Sequence, residues 1–275
     1  MKRSFIRYIS VQVHMEEHGD TLIGALVVGN EILLGKTRDT NTIFLAENLL
    51  RRGLKLRRWV VVPDNERDIS RELSRFMEDG YGIIVVSGGM GPTHDDITVR
   101  SIARGLGISL GFNEKCYRRM VEKWKRNNPG KKMPETARSG LDKMAYVPAD
   151  FDLIENENGM VEGLVGVVNG GRSIVFILPG VPGEYRGIVT TRKFQDYLPR
   201  KDASSVTIIE IPFRGKESMI AACLGEVQKR FRDIDIGSYP QGPMNVVIRV
   251  TGDRENVMRA VDEIRDRLRE AGFSD

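Results

Sequence analysis

Three apolar runs, each followed by a stretch of helical period, set the frame of the chain. Residues 22–28 are almost unbroken apolar, the pattern of a strand buried on both faces. Residues 39–52 then place Phe44, Leu45, Leu49 and Leu50 at helical spacing, with Asp39 or Thr40 as cap and Gly53 as stop. A second strand is predicted over 54–62, with Trp59 in its core. Asn65 opens a second helix with Ile69, Leu73, Phe76 and Met77 on one face, and Gly80 ends it. A third strand over 81–86 and a third helix over 95–106 complete the series. Such alternation predicts right-handed βαβ units around a parallel sheet. Residues 113–127 predict an amphipathic helix with Tyr117, Met120, Val121 and Trp124 inward. Its Arg118, Arg119, Lys123, Lys125 and Arg126 are expected on a solvated face. Runs at 164–168 and 173–178 flank Asn169-Gly170-Gly171-Arg172, a hairpin signal, so an antiparallel pair is added and the sheet is mixed.

Beyond Leu198 the pattern changes. Pro199-Arg200-Lys201-Asp202 reads as a linker. It is followed by a strand (206–213), a helix (216–231), a strand ending at Ser238, a strand (245–251) and a helix (254–271). This β-α-β-β-α order predicts a small α+β domain. The expected organisation is therefore an extension over 1–20, a large α/β domain over 21–198 and a small domain over 199–275. Arg7 and Gln12 interrupt the apolar residues of the extension, which makes it a poor signal peptide. It is expected to add an edge strand or to be a disordered tail, and Met15 is an alternative start to Met1.

Composition narrows the class. Hydrophobic residues make up 40% and charged residues 29%, as in soluble globular proteins. The net charge of +4 is spread without a dense basic block, so no nucleic-acid partner is expected. Cys116 and Cys223 form no CxxC, which argues against a zinc site or disulfide framework and for a reducing cytoplasm. No apolar run has membrane-spanning length, and no membrane partner is expected.

The chemistry concentrates at the ends of the predicted strands, where open α/β sheets bind ligands. Residues 87–98 read SGGMGPTHDDIT. Gly88, Gly89 and Gly91 let a ligand approach bare backbone, and a helix start beyond them offers unpaired N–H groups to an anion. Asp95 and Asp96 beside a phosphate would need a cation between them. A glycine turn followed by an Asp cap is the plainer alternative. The loop after the first strand, GNEILLGKTRDTN over 29–41, carries Glu31 and Asp39. Asp39 either caps the next helix or faces the same spot as Asp96. Asp64 follows the second strand. Carboxylates converging from three strand ends repel unless a cation or protons intervene. An oxygen-rich set of this kind suits a divalent Mg, Mn or Co ion. His94 reads as a ligand, a base or simply a loop residue. Lys36 and Arg38 either contact phosphate or stay solvated.

Taken together, GNEILLGKTRDTN, VPDN, SGGMGPTHDDIT and LPGVPGE (178–184) resemble the molybdopterin-binding-like (MoaB/Mog) family. Within it they resemble the amino-terminal domain of the competence/damage-inducible CinA proteins, over about 22–197. Residues after the linker, with Gly237-Ser238-Tyr239-Pro240, resemble the KH-like domain that follows there. The carboxyl-terminal deamidase domain of many such proteins has no counterpart, so nicotinamide-mononucleotide deamidation is not expected. The resemblance implies a three-layer α/β/α sandwich with a mostly parallel sheet. It places Gly88, Gly89, Gly91, Thr93 and Asp96 in the phosphate and metal loop. Asp39, Asn41 and Asp64 fall on its other polar positions, and Gly180, Pro182 and Glu184 on the closing LPG-x-P loop. Asn156, Gly159 and Gly163 fit the family pattern, whereas Met90 and the stretch 137–146 depart from it.

The implied activity is a metal-dependent nucleotide pyrophosphatase acting on an adenine dinucleotide diphosphate such as ADP-ribose or FAD. Asp96, Asp64 and Asp39 would be catalytic, and Asp96 with Asp39 would hold the metal. Weaker candidates are His94, Asp95 and Glu31. Two alternatives are a molybdopterin adenylyltransferase-like enzyme and a non-catalytic pterin or nucleotide-binding protein. Specificity is expected to come from 137–163. The small domain lacks the Gly-x-x-Gly loop with which KH modules clamp RNA, and it is expected to serve assembly of a homo-oligomer, most simply a dimer.

Overall fold

A computed structural model describes residues 21–199 and 206–273. The expected extension over 1–20 and most of the expected linker lie outside these residues. The chain divides into two compact units, with the main break after Pro199 and the short segment Leu49–Leu54 grouped with the second. The first runs β1 (Ile23–Val28), α1 (Asn30–Leu33), α2 (Asn41–Leu50), β2 (Leu56–Val62), α3 (Glu66–Glu78), β3 (Ile83–Ser87) and α4 (Thr98–Leu106). It continues with β4 (Leu110–Phe112), α5 (Glu114–Asn127), α6 (Glu135–Met144), β5 (Tyr146–Pro148), β6 (Asp152–Ile154), β7 (Gly163–Val168), β8 (Ser173–Leu178), α7 (Pro182–Val189) and α8 (Arg192–Asp196). The second comprises β9 (Thr207–Arg214), α9 (Ala221–Arg230), β10 (Asp235–Gly242), β11 (Asn245–Gly252) and α10 (Arg254–Glu270).

The first unit is built on a six-stranded sheet of order β2-β1-β3-β8-β7-β6. Pairings from β2 to β8 are parallel, and those of β8 with β7 and β7 with β6 are antiparallel. Every residue of β1, β3 and β8 is buried. Both faces of the sheet centre are therefore covered, as the α/β/α layering demands. The expected hairpin forms, and Asn169 adopts φ 55° at its turn. Two helices start where a side-chain cap predicts: Asn65 accepts from Arg67 N and Asp68 N, and Asn113 accepts from Cys116 N. The second unit has a three-stranded antiparallel sheet of order β10-β11-β9 with its own apolar core, including Ile211, Ile248, Val257 and Ile264.

Four local expectations are corrected. Trp59 is not core: β2 is an edge strand with alternating exposure, and Trp59 is 44% exposed. Lys123 is not solvated but buried, and both it and Arg119 bind the fully buried Glu162. The helix expected to begin at Asp95 begins at Thr98, because Asp96 folds back onto Thr93 and closes a turn first. In the second unit the helix expected from 216 starts at Ala221, after a short 3₁₀ turn at Glu217–Met219.

Candidate functional site

The sheet order sends the chain from β1 outward to β2 on one side and onward to β3 on the other. The carboxyl ends of β1 and β3 thus flank a topological switch point, the usual ligand crevice of such sheets. Gly88 is wedged there. Its N–H donates to Leu178 O at 3.1 Å, and its φ is 97°. A Cβ at Gly88 would fall 2.1 Å from Val28 O, so only glycine fits between the strand ends. Gly89 O accepts from Thr98 N at 3.1 Å, which anchors the loop on the start of α4. A Cβ on Gly89 would fall 2.3 Å from Thr98 Oγ1, and one on Gly91 would fall 2.6 Å from Asp96 Oδ2. The protein's own packing therefore leaves no room for a side chain at any of the three glycines.

The acids do not converge on one point. Asp39 caps α2: Oδ1 accepts from Asn41 N and Thr42 N at 3.0 Å each, and Oδ2 accepts from Thr42 Oγ1 at 2.6 Å. Asp64 Oδ2 accepts from Asn30 N at 2.8 Å and so caps α1. Asp96 Oδ2 accepts from Thr93 N at 2.9 Å and from Thr93 Oγ1. Asp96 Oδ1 takes no hydrogen bond among the described residues. His94 and Asp95 point outward, 98% and 64% exposed at the side chain. Among the described residues no group of three or more His, Cys, Asp or Glu is placed to hold a metal.

The glycine loop instead separates two cavities. One, of about 80 Å³, gathers Glu31, Asp39, Asn41, Gly88, Gly180 and Pro182. Asn41 Nδ2 donates to Gly180 O at 2.8 Å, tying α2 to the turn after β8, while its buried Oδ1 has no partner among the described residues. The other, of about 210 Å³, gathers Gly89, Gly91 and Asp96 with Arg100, Lys143 and Glu162. Asp64 and Thr93 line neither of these two cavities. Glu184 lies elsewhere: its carboxylate accepts from Asn156 Nδ2 at 2.9 Å and from Met160 N at 3.4 Å.

Lys143 is the cation that the sequence did not reveal. Its Nζ donates to Thr93 O and, at 3.4 Å, to Gly91 O, so it braces the glycine loop beside Asp96. Burial holds its pKa below the ordinary lysine value of 10.5; Arg100 adds to this, and Asp96 and Asp95 oppose it. It stands on α6, a helix that the sequence pattern did not predict. The same holds for Glu162 and its partners, because the residues that neutralise it are about 40 positions away on α5.

A mostly parallel α/β sandwich with a glycine loop at its switch point defines the class of open α/β domains that bind ligands at the carboxyl ends of their strands. Comparison with known proteins makes this specific. A family model described as "Probable molybdopterin binding domain" matches residues 24–194, and one described as "FAD synthase, middle domain" matches 206–275. A protein of Thermococcus kodakarensis is 32% identical over 218 residues, covering 79% of this chain and 84% of its own. A CinA-like protein of Geotalea uraniireducens is 31% identical over 256 residues, 90% of this chain and 58% of its own length. The crystal structure of the protein CinA with unknown function from Thermoplasma acidophilum has 32% identity and a TM-score of 0.55, covering 66% of this chain and all of that one. The chain belongs to the molybdopterin-binding-domain family and is CinA-like.

Proposed function

We propose that the protein is a metal-dependent nucleotide pyrophosphatase that cleaves an adenine dinucleotide diphosphate such as ADP-ribose or FAD and releases AMP. The observation that carries this reading is the glycine loop standing as a thin main-chain wall between two cavities at the sheet's switch point. Neighbouring phosphates of one diphosphate can rest along such a wall. On the Asp96 side, Lys143 and Arg100 supply positive charge to a phosphate held against Gly89 and Gly91. The match of the second unit to an FAD synthase domain also favours a nucleotide.

The donor set fits a hard divalent ion of the loosely held kind, which takes one or two carboxylates and completes its shell with substrate phosphates and water. Asp96 is the residue to hold it, since it lines a cavity and keeps Oδ1 free; Asp39, already spent on its helix cap, is a secondary candidate. Such an ion would neutralise phosphate charge and polarise the anhydride. Lys143 would hold the departing phosphate, and water would add to phosphorus as the bridging P–O bond breaks.

The test is product chromatography of ADP-ribose and FAD incubated with Mg²⁺, Mn²⁺ or Co²⁺, with EDTA as control, beside ATP with molybdopterin. AMP from the dinucleotides, abolished by EDTA, is expected. No AMP there, with adenylylated pterin in the second incubation, overturns the proposal.

A further inference from the structure

A second hollow adjoins the Asp96 cavity. It measures about 400 Å³ and is walled by Trp124 of α5, Leu141 and Met144 of α6, and Met160 and Val161. Gly91, Met144 and Val161 border both spaces, so the hollow begins where the glycine loop ends. Its size and apolar walls are those of a small-molecule site. The geometry points to this hollow as the subsite for the fused-ring base of the nucleotide whose phosphates lie on the glycine loop. This rests on the reading of that loop as a diphosphate site.

Three observations support a flat ring as the occupant. Trp124 lines the hollow with an aromatic ring, and its indole N–H has no hydrogen-bond partner among the described residues, which leaves a donor for a ring nitrogen or carbonyl. Met144 and Met160 are flexible thioethers, which adapt to an aromatic surface. The wall that carries Met160 is also fixed in place. Glu184 clasps Asn156 Nδ2 and Met160 N, and a Cβ at Gly159 would fall 2.0 Å from Glu184 Cδ. Glu184 is thus a positioning residue for the ring's slot, and its remaining acceptor capacity faces a hollow in which a base N–H would be welcome.

The chain has two tryptophans, and Trp59 sits half-exposed on the sheet edge. In Trp59→Phe protein, Trp124 is the sole reporter. Titration with ADP-ribose or with flavin mononucleotide should quench its emission saturably, and which of the two does so assigns the adenine or flavin ring. Pyrophosphate, which has no base, should bind without a change. Ala137→Phe, which fills the hollow from the half-buried face of α6, should weaken ADP-ribose or flavin mononucleotide about tenfold by calorimetry and leave pyrophosphate unaffected. Silence of Trp124 towards both base-bearing ligands, an equal response to pyrophosphate, or unchanged affinity in folded Ala137→Phe would overturn the assignment. A Trp124 response without AMP release sinks the hydrolase reading and leaves the subsite standing; AMP release with Trp124 silent does the reverse.

Discussion

Replacing Glu162 by Gln removes the charge on which one corner of the first unit is built. The carboxylate is fully buried, receives Arg119 Nε and Lys123 Nζ at 2.8 Å each, and accepts from Asn156 N at 2.6 Å. Arg119 keeps a second partner, Glu155 at 2.7 Å. Lys123, only 9% exposed at its side chain, has no other carboxylate among the described residues. Breaking a buried pair from one side costs about 3–5 kcal/mol, mostly for the charge left behind. Because Arg119 retains Glu155, the lower end applies, about 3 kcal/mol. In a unit of this size that lowers Tm by roughly 6–12 °C. Both tryptophans lie in the first unit, so urea unfolding followed by tryptophan emission reports on it alone. Adding Lys123→Met to Glu162→Gln should restore most of the loss, because it takes away the stranded charge. The reasoning is refuted if Glu162→Gln costs under about 1 kcal/mol, or if the double variant is less stable than the single one.

Two further outcomes follow from the loop. Asp96→Asn should lower kcat about 10²-fold or more while costing under about 1 kcal/mol of stability, since Asn can still accept from Thr93 and Asp96 caps no helix; turnover assays beside thermal melts check both numbers. Lys143, with its pKa held below 10.5, loses its charge earlier than an ordinary lysine as pH rises. Phosphate affinity should therefore fall on the alkaline side, and Lys143→Arg should push that fall to higher pH in a pH–KM profile, an outcome that an identical profile in the variant would contradict.

The central strands were legible because residues buried on both faces cannot be polar, and β1, β3 and β8 are unbroken apolar stretches. The glycine loop was legible because its crowding leaves no other residue type at Gly88. What escaped depends on partners distant in the chain. An apolar Trp59 and a charged Lys123 each look ordinary in their windows. Their exposure is reversed by the edge position of β2 in one case and by a buried acid 39 positions on in the other. Asp39 illustrates the same limit within the site. Its cap geometry and its nearness to the crevice are both real, and local pattern alone did not rank them.

The bond from Asn41 to Gly180 joins residues 139 positions apart, and the pairing of β3 with β8 joins Ile83 to Ile174. Closing loops of that length is slow, because the entropy is lost before the contacts form. The glycine loop therefore lacks one of its flanking walls until β8 has docked. A nascent chain halted before Gly180 holds the sequence motif but lacks the wall of the smaller cavity that Gly180 and Pro182 supply. In synthesis, the cavity beside Gly180 is among the last parts of the first unit to be completed.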